Sequence, residues 1–435
     1  MNINTVTVVG ANGVMGTNVS AIFASFGNAK VYMISRDIEQ SKKAIQKAAR
    51  SVRAESIVNN LIPADYSMLS ECVSDSDLIF ESVAENIDIK LNITKRIAAC
   101  IRDDAVACSG TSGLSITTLA ECFSENYRGR YFGVHMFNPP YNMTLCELIT
   151  TQYTDLGLLS EMKAYLRNVL FRTVVETKDS PAFLANRIGF QFINEAMQYA
   201  EAFKDNGGID YVDSILGSFT GRSMAPLVTA DFVGLDVHRA IVDNVYNNTD
   251  DYAHSTFVLP SFAKRLVEEG SLGRKSGKGL YKTEYYENGL KRHTVYDINT
   301  MAYRDKMHYI FPFAEEMKRQ IKCGNYEAAF KALVDNHSQE AEICLHFLLN
   351  YVVYSLVTTR DVAYKIHSAD AAMATGFNWC PPLAMIEALS TVTDVKALIK
   401  ERLSSSILTA VDIDELLQNV EKSRYDYRLY FKSAK

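Results

Sequence analysis

A histidine and a glutamate near the middle of the chain are the residues best suited to acid–base chemistry. His135 ends a strand-like run from Arg130 to Val134, and Glu147 lies in a second short apolar run. A carboxylate that hydrogen-bonds one imidazole nitrogen fixes the tautomer and leaves the other nitrogen to exchange a proton. This layout predicts a general base with an acidic partner, although a lone histidine beside a strand is more often a core residue.

Residues 1–180, which must position these two side chains, alternate between segments typical of buried strands and segments typical of helices. This alternation predicts an α/β domain with a Rossmann-type, doubly wound parallel sheet. Its second helix is predicted to run from Ile38 to about Asn60. The predicted strands are Thr5–Val9, Lys30–Ile34, Leu78–Glu81, Ala105–Cys108, Arg130–Val134, Leu145–Ile149 and Arg172–Val175.

The pattern becomes helical after Asp179-Ser180-Pro181. Pro181 suits the first turn of a helix, where its missing N–H costs little. We therefore expect all-α C-terminal domains at residues 181–285 and 299–435. The charged, tyrosine-rich stretch from Lys282 to His293 is predicted to be a linker.

A glycine-rich turn follows the first predicted strand and precedes the first predicted helix. Glycines permit a tight turn and close backbone approach, so a pyrophosphate can bind at the helix N-terminus. The pattern is GxxGxxG, one residue longer than GxGxxG, and its position between strand and helix favours a dinucleotide site over a plain turn. The candidate cofactor-binding residues are Gly10, Asn12, Gly13, Val14, Met15 and Gly16.

The end of the second predicted strand indicates which nicotinamide cofactor binds. NAD enzymes usually place an acidic residue there, which binds the ribose 2′-hydroxyl. This chain has Ser35 followed by Arg36, whose guanidinium suits a 2′-phosphate. The pattern favours NADP, with NAD as the alternative if a shift of two residues brings Asp37 into the acidic position.

Composition excludes several classes of protein. The chain is 48% hydrophobic and 22% charged, with a net charge of −6, which is typical of a globular protein and predicts no nucleic-acid partner. Its eight cysteines form no CxxC pair, so neither a disulfide framework nor a metal site is expected. The sequence shows no basic n-region followed by a long apolar run, so we expect no targeting leader and no segment long enough to span a membrane. The scattered cysteines suit reduced thiols, and the C-terminal Ser433-Ala434-Lys435 is not a peroxisomal tripeptide, so we expect a cytoplasmic location.

Together with further short motifs, these segments resemble the L-3-hydroxyacyl-CoA dehydrogenase family from Val6 to Tyr281. Each motif is short, but the set occurs in the family's order and is highly specific. The motifs are Gly10–Gly16, Glu81–Glu85 with Lys90, Ser109–Leu114, His135–Pro139, Glu147, Asp179–Phe183 with Asn186-Arg187, and Gly273–Gly279.

The resemblance implies a role for each matching residue. His135 would take the 3-hydroxyl proton as hydride leaves C3 for the nicotinamide, and Glu147 would orient His135 and stabilise its imidazolium form. Ser112 and Asn186 would hydrogen-bond the reacting oxygen, and Asn138 would shape the substrate pocket.

The resemblance also places Glu85 and Lys90 near the nicotinamide end of the cofactor. One departure concerns the loop beside the active site, where the family's Ser-Asn-Thr-Ser is replaced by Ser109-Gly110-Thr111-Ser112. An amide side chain is therefore missing. This puts cofactor identity and substrate size in question, more than reaction type.

Residues 299–435 resemble a degenerate second copy of the family's helical domain. The segment Asn194-Glu195-Ala196 recurs loosely as Asn350-Tyr351-Val352, and Pro226 recurs as Pro381-Pro382. Two unrelated helical blocks remain the alternative. A second copy would give a monomer with a pseudo-dimeric helical region, and a homodimer is the other possibility.

We therefore expect an NAD(P)-dependent (S)-3-hydroxyacyl-CoA dehydrogenase of fatty acid metabolism with an acyl-CoA substrate. One alternative is a dehydrogenase of the same family that acts on a non-CoA hydroxy acid. Another is a dinucleotide-binding protein without turnover, against which the intact His135, Glu147, Ser112 and Asn186 argue.

Overall fold

The computed structural model describes residues 1–285 and 290–432, and these form two compact units. The first unit contains Met1–Phe183 with Val362–Tyr364, and the second contains Leu184–Asp361 with Lys365–Lys435. The C-terminal tripeptide Ser433-Ala434-Lys435 lies outside the described residues.

An eight-stranded sheet lies at the centre of the first unit, in the order β3-β2-β1-β4-β5-β6-β7-β8. The first six strands are mutually parallel, as the alternation of strands and helices predicts. Strand β7 is antiparallel to β6 and parallel to β8, so the last two strands run against the others. The strands are β1 (Thr5–Val9), β2 (Lys30–Ser35), β3 (Leu61–Asp65), β4 (Leu78–Glu81), β5 (Val106–Ser109), β6 (Tyr131–Met136), β7 (Leu145–Thr150) and β8 (Thr173–Lys178).

Helices pack on the sheet through two separate apolar clusters. Val8 belongs to one cluster and the next residue, Val9, belongs to the other, as expected where successive side chains point to opposite faces of a sheet. The doubly wound Rossmann-type architecture is therefore confirmed. The helices of this unit are α1 (Val14–Ser25), α2 (Ile38–Val52), α3 (Leu69–Ser74), α4 (Ile87–Ala98), α5 (Ile116–Ala120) and α6 (Leu156–Asn168).

Two local predictions in the first unit are wrong. Helix α2 ends at Val52 rather than near Asn60, because Arg53 has a left-handed φ of 53° that stops the helix. A 3₁₀ turn and the unpredicted strand β3 follow. Pro181 lies in a turn rather than in a helix, because Ala182 and Phe183 have φ values of 60° and 52°.

The described part of the second unit is mainly helical and also contains a small antiparallel sheet, in the order β11-β10-β9. Of the stretch predicted as a linker, Lys282 to His293, residues 286–289 lie outside the described residues, and the described part contributes to β9 and β10 instead. The strands are β9 (Tyr281–Tyr285), β10 (Lys291–Asp297) and β11 (Ala302–Asp305). The helices are α7 (Ala185–Ala202), α8 (Ile209–Ile215), α9 (Pro226–Val233), α10 (Leu235–Asn248), α11 (Ser261–Glu268), α12 (Pro312–Lys322), α13 (Tyr326–Val334), α14 (Gln339–Val362), α15 (Ser368–Ala372), α16 (Pro382–Leu389), α17 (Val395–Arg402), α18 (Ser405–Ala410) and α19 (Ile413–Leu417).

Helix α14 corrects the expectation that no segment is long enough to cross a membrane. Its 24 residues, with a mean hydropathy of 1.4 in the most apolar window, meet that criterion by length and composition. In the structure, 83% of this window is buried, and the core helix of a globular protein meets the same criterion.

Candidate active site

His135 and Glu147 face each other across the antiparallel pair β6–β7. The strand register pairs the two residues directly, and His135 Nδ1 lies 2.7 Å from Glu147 Oε2. His135 is 4% exposed and Glu147 is fully buried. Because a carboxylate can only accept, Nδ1 carries the hydrogen and Nε2 is the nitrogen that can exchange a proton.

Aromatic rings flank the imidazole of this buried pair. The imidazole ring of His135 lies 4.5 Å from the Phe137 ring and 5.7 Å from the Phe183 ring, centroid to centroid. Burial raises the pKa of the neighbouring Cys146 thiol to about 12, so this thiol adds no negative charge beside Glu147. In such a site a charge on the imidazole interacts strongly with the carboxylate.

Two residues that the sequence did not single out position the segment after β6. Asn18, buried on α1, donates from Nδ2 to Oδ1 of Asn138 across 3.0 Å. Arg172, also buried, donates from its guanidinium to the Pro140 carbonyl. The single amide side chain among the small, hydroxyl and apolar residues of helix α1 is the signal that could have identified Asn18.

The loop that carries Ser112 is held by Glu85. The Glu85 carboxylate accepts hydrogen bonds from Thr111 Oγ1 at 2.5 Å and from the Ser112 backbone N–H at 2.8 Å. Lys90, 1% exposed, lies 3.4 Å from Glu85 and 2.9 Å from Glu81. Lys90 therefore contacts two carboxylates directly. It supports the Ser112 loop indirectly, because Glu85 accepts the hydrogen bonds from that loop.

Glu81 ties the end of β4 to the end of β5. Its carboxylate accepts from Lys90 Nζ, from Ser109 Oγ at 2.6 Å and from the Val83 backbone N–H at 2.6 Å. Glu81 is 1% exposed, so these three donors satisfy a carboxylate that would otherwise be costly to bury.

The structure gives a steric reason for the missing amide at Gly110. A Cβ atom added to this glycine would lie 2.7 Å from Cζ of Phe80. Phe80 is itself buried, at the third position of β4. The ring occupies the space that a side chain at Gly110 would need.

The glycine-rich turn has the close backbone contacts that its sequence predicts. Gly10 has a φ of 85°, and a Cβ there would lie 2.5 Å from the Ser82 carbonyl oxygen. A Cβ at Gly16 would lie 2.4 Å from the Gly10 carbonyl oxygen. At Gly13 the nearest such contact is 3.4 Å, an ordinary van der Waals distance, so a Cβ atom would meet no clash there.

The N-terminus of α1 suits a pyrophosphate. Gly13 is its N-cap and makes no side-chain cap, and the first turn contains no acidic residue. Val14 at this end is 67% exposed, while Asn12 donates its amide to Gln40 Oε1 across 2.8 Å. The first turn of α1 thus places no carboxylate of its own against its N–H groups and the helix dipole, which fits the binding of an anion.

The residues after β2 have distinct contacts. Ser35 ends the strand and donates from Oγ to the Asp37 carbonyl at 2.8 Å. The Asp37 carboxylate accepts from the Gln40 backbone N–H at 2.8 Å and so caps α2. Arg36, between them, is exposed.

Asn186 belongs to the second unit, where it is buried in the first turn of α7. Its expected action on the reacting oxygen stays a prediction. Asp179, from the motif just before it, belongs to the first unit and caps α5 by accepting from the backbone N–H groups of Ile116 and Thr117.

Comparisons with known proteins find related domains in this chain. The NAD binding domain of 3-hydroxyacyl-CoA dehydrogenase matches residues 5–180, and the C-terminal domain of the same enzyme family matches residues 183–283. A probable 3-hydroxyacyl-CoA dehydrogenase of Bacillus subtilis is 30% identical over 395 residues, which cover 85% of this chain and 48% of that protein. A probable 3-hydroxyacyl-CoA dehydrogenase of Deinococcus radiodurans is 31% identical over 311 residues, covering 67% of this chain and 86% of that protein.

One solved structure shares the fold of this chain over nearly its whole length. The 3-hydroxybutyryl-CoA dehydrogenase of Escherichia coli K12 superposes with a TM-score of 0.68 at 21% identity, covering 94% of this chain and 98% of that one. The chain spans about half the length of several curated relatives that it matches, such as the Bacillus protein. From these two matching domains and the relatives at 30% identity or more, the chain belongs to the 3-hydroxyacyl-CoA dehydrogenase family.

Proposed function

We propose that this chain is an (S)-3-hydroxyacyl-CoA dehydrogenase that interconverts 3-hydroxyacyl-CoA and 3-ketoacyl-CoA with a nicotinamide cofactor. The observation that carries the proposal is the buried 2.7 Å hydrogen bond between His135 Nδ1 and Glu147 Oε2. It lies in the same unit as a glycine-rich turn that fits a dinucleotide.

In the oxidative direction, Nε2 of His135 takes the proton of the 3-hydroxyl group while the C3–H bond breaks and the C3–O bond becomes a carbonyl. When bound, the nicotinamide supplies the redox chemistry by exchanging a hydride with C3. Glu147 holds the ring in the tautomer that leaves Nε2 ready and offsets the charge of the imidazolium. In the reductive direction, the imidazolium returns the proton to the 3-keto oxygen.

The remaining predicted residues have supporting roles in this proposal. Ser112, whose backbone is fixed by Glu85, and Asn186 hydrogen-bond the substrate oxygen. Asn138, held by Asn18, shapes the pocket. Acyl-CoA is the proposed substrate, with no nucleic-acid or membrane partner and with a cytoplasmic location.

We propose NADP as the preferred cofactor and NAD as the alternative. The supporting observation is that the Asp37 carboxylate, the acidic group nearest the end of β2 in sequence, already caps α2. The strand itself ends at Ser35, and the exposed Arg36 is the charged group beside that end. An arginine at this position can pair with a 2′-phosphate, whereas no acidic side chain ends the strand to receive a 2′-hydroxyl.

We also propose three domains, at residues 1–180, 181–285 and 299–435, the last being a degenerate copy of the second. Asp213 accepts from the Leu227 N–H at 2.8 Å near the start of α9, and Asp370 accepts from the Leu383 N–H at 2.9 Å near the start of α16. Burial raises the pKa of both carboxyl groups to about 6. This shared arrangement of a buried aspartate at a helix start supports a monomer with a pseudo-dimeric helical region. A homodimer in light scattering would contradict the proposed monomer.

The test is turnover of acetoacetyl-CoA with NADH and with NADPH, by the wild-type chain and by His135→Ala. We expect turnover by the wild type, with NADPH preferred, and loss of turnover in the variant. His308→Ala, which changes an exposed histidine, is the matched control and should keep wild-type rates. No turnover with either cofactor would overturn the proposed activity, and unchanged turnover by His135→Ala would overturn the mechanism.

A further inference from the structure

The second unit contains a cavity with no part in the chemistry described above. Its volume is about 510 Å³, a size typical of small-molecule sites. The match to the family's C-terminal domain ends at residue 283, so much of the wall lies outside the matched region. The lining residues beyond that limit are Tyr285, Lys291, His293 and Lys306.

Three cations line this cavity: Arg274, Lys291 and Lys306. All three are exposed, and none forms an ion pair with any carboxylate within residues 1–285 and 290–432. Nearby cations outside the cavity behave differently: Lys275 pairs with Asp236, and Lys282 lies 2.7 Å from Glu284. Unpaired cations that share one cavity in a chain of net charge −6 favour an anionic ligand.

Each of these cations lies over an aromatic ring of the same cavity. Arg274 is 5.6 Å from the centroid of Phe232, and Lys306 is 5.6 Å from that of Tyr281. Lys291 is 5.4 Å from the centroid of Tyr285. The cavity thus offers both positive charge and flat apolar surface, as a ligand with an anionic part and an aromatic part requires.

Among the described residues of the lining, the single carboxylate, that of Asp231, does not cancel these charges directly. Asp231 is buried, and its Oδ1 accepts from the Leu280 backbone N–H at 2.6 Å. A Cβ at Gly279 would lie 2.2 Å from this oxygen, so the glycine permits the close approach. The carboxylate is committed to the backbone at the floor of the cavity, and the three cations remain available.

We propose that this cavity binds an adenine nucleotide, with the base on the aromatic rings and the phosphates on the cations. The nucleotide has two sources, a free adenine nucleotide or the nucleotide portion of CoA. Phosphate alone would use the cations but leave most of the 510 Å³ unfilled. The proposal does not depend on turnover, so it goes beyond the proposed dehydrogenase activity.

The test is calorimetric titration of the full chain with ADP, in which the binding that depends on the cavity cations is separated by substitution from any binding at the Rossmann turn. We expect ADP to bind, and Lys291→Gln with Lys306→Gln to weaken binding by roughly tenfold for each cation removed. Phe232→Ala should weaken it by roughly tenfold through lost stacking. The matched control is Lys264→Gln with Lys322→Gln, which removes two exposed lysines elsewhere in the same unit and should leave binding within about twofold.

Competition separates the two sources. Displacement of ADP by CoA identifies the CoA nucleotide as a ligand, and failure of CoA to displace ADP identifies a free nucleotide; either result supports the site. The proposal is overturned if ADP does not bind, if inorganic phosphate competes as well as ADP, or if both double variants weaken binding equally. ADP binding that persists without acetoacetyl-CoA turnover would refute only the dehydrogenase proposal.

Discussion

The substitution Glu147→Gln tests the proposed proton transfer most directly. It keeps the shape of a fully buried side chain and leaves a polar group 2.7 Å from His135 Nδ1, but it removes the negative charge. The amide can still accept a hydrogen bond from the imidazole, so the ring can stay in place. The change therefore acts mainly on the imidazolium that forms as the substrate hydroxyl loses its proton.

The size of the effect follows from the geometry. Two unit charges about 4 Å apart interact by about 4 kcal/mol at an effective dielectric constant of about 20. Glu147 has no exposed surface, so solvent does not screen it further. Losing about 4 kcal/mol from the transition state lowers kcat by ~10³-fold, while KM changes little because the neutral imidazole of the ground state feels the charge weakly.

The assay is steady-state oxidation of (S)-3-hydroxybutyryl-CoA with NADP, the direction in which the imidazolium forms, with kcat and KM measured separately. Glu176→Gln provides the matched control, since it makes the same chemical change on β8 at a carboxylate paired with Lys163. We expect that control to stay within about twofold of the wild type. A fall in kcat of less than about tenfold for Glu147→Gln, or an equal fall in the control, would refute the reasoning.

Three further predictions concern the supporting structure. Asn18→Ala removes the 3.0 Å hydrogen bond to Asn138 and should lower kcat/KM by roughly fivefold to tenfold, measured with acetoacetyl-CoA; no change would show that Asn138 is held by other contacts. Burial lowers the pKa of His238 to about 3, so the folded protein loses stability as the pH falls from about 6.5 towards 3, by about 2 kcal/mol at pH 5. Urea unfolding of His238→Phe at pH 7 and pH 5 should show a correspondingly smaller fall, and an unchanged fall would contradict the assignment. Gly110→Asn should destabilise the protein by about 1–3 kcal/mol, because its Cβ would lie 2.7 Å from Phe80, and Phe80→Leu should restore part of that loss in thermal unfolding.

The His135–Glu147 pairing can be predicted from the sequence because both residues lie in apolar strand-like segments close together in the chain. When such strands pair antiparallel, residues equidistant from the loop face each other, and the register does pair His135 with Glu147. The glycine-rich turn can also be predicted, because it depends on backbone geometry that only a few residue types allow.

Other features depend on contacts between distant segments and have no local signal. The end of α2 depends on the left-handed conformation of Arg53, a residue that ordinarily continues a helix. The strands β9 and β10 contain many charged residues, and only the pairing of their backbones makes a sheet of them. The lack of a side chain at Gly110 fits the position of Phe80, thirty residues earlier in the chain, whose ring fills the space.

The end of β4 shows why motifs taken one at a time miss the arrangement of the site. Ser82, the residue after the strand, places its carbonyl against Gly10 of the nucleotide-binding turn. Its neighbour Glu81 binds Lys90 and Ser109, and Lys90 in turn lies beside Glu85, which holds the loop carrying Ser112. A single strand end thus fixes both the turn expected to bind the cofactor and the loop expected to bind the substrate oxygen. A change at Glu81 should therefore disturb both halves of the site together, although this residue contacts neither of the groups that react.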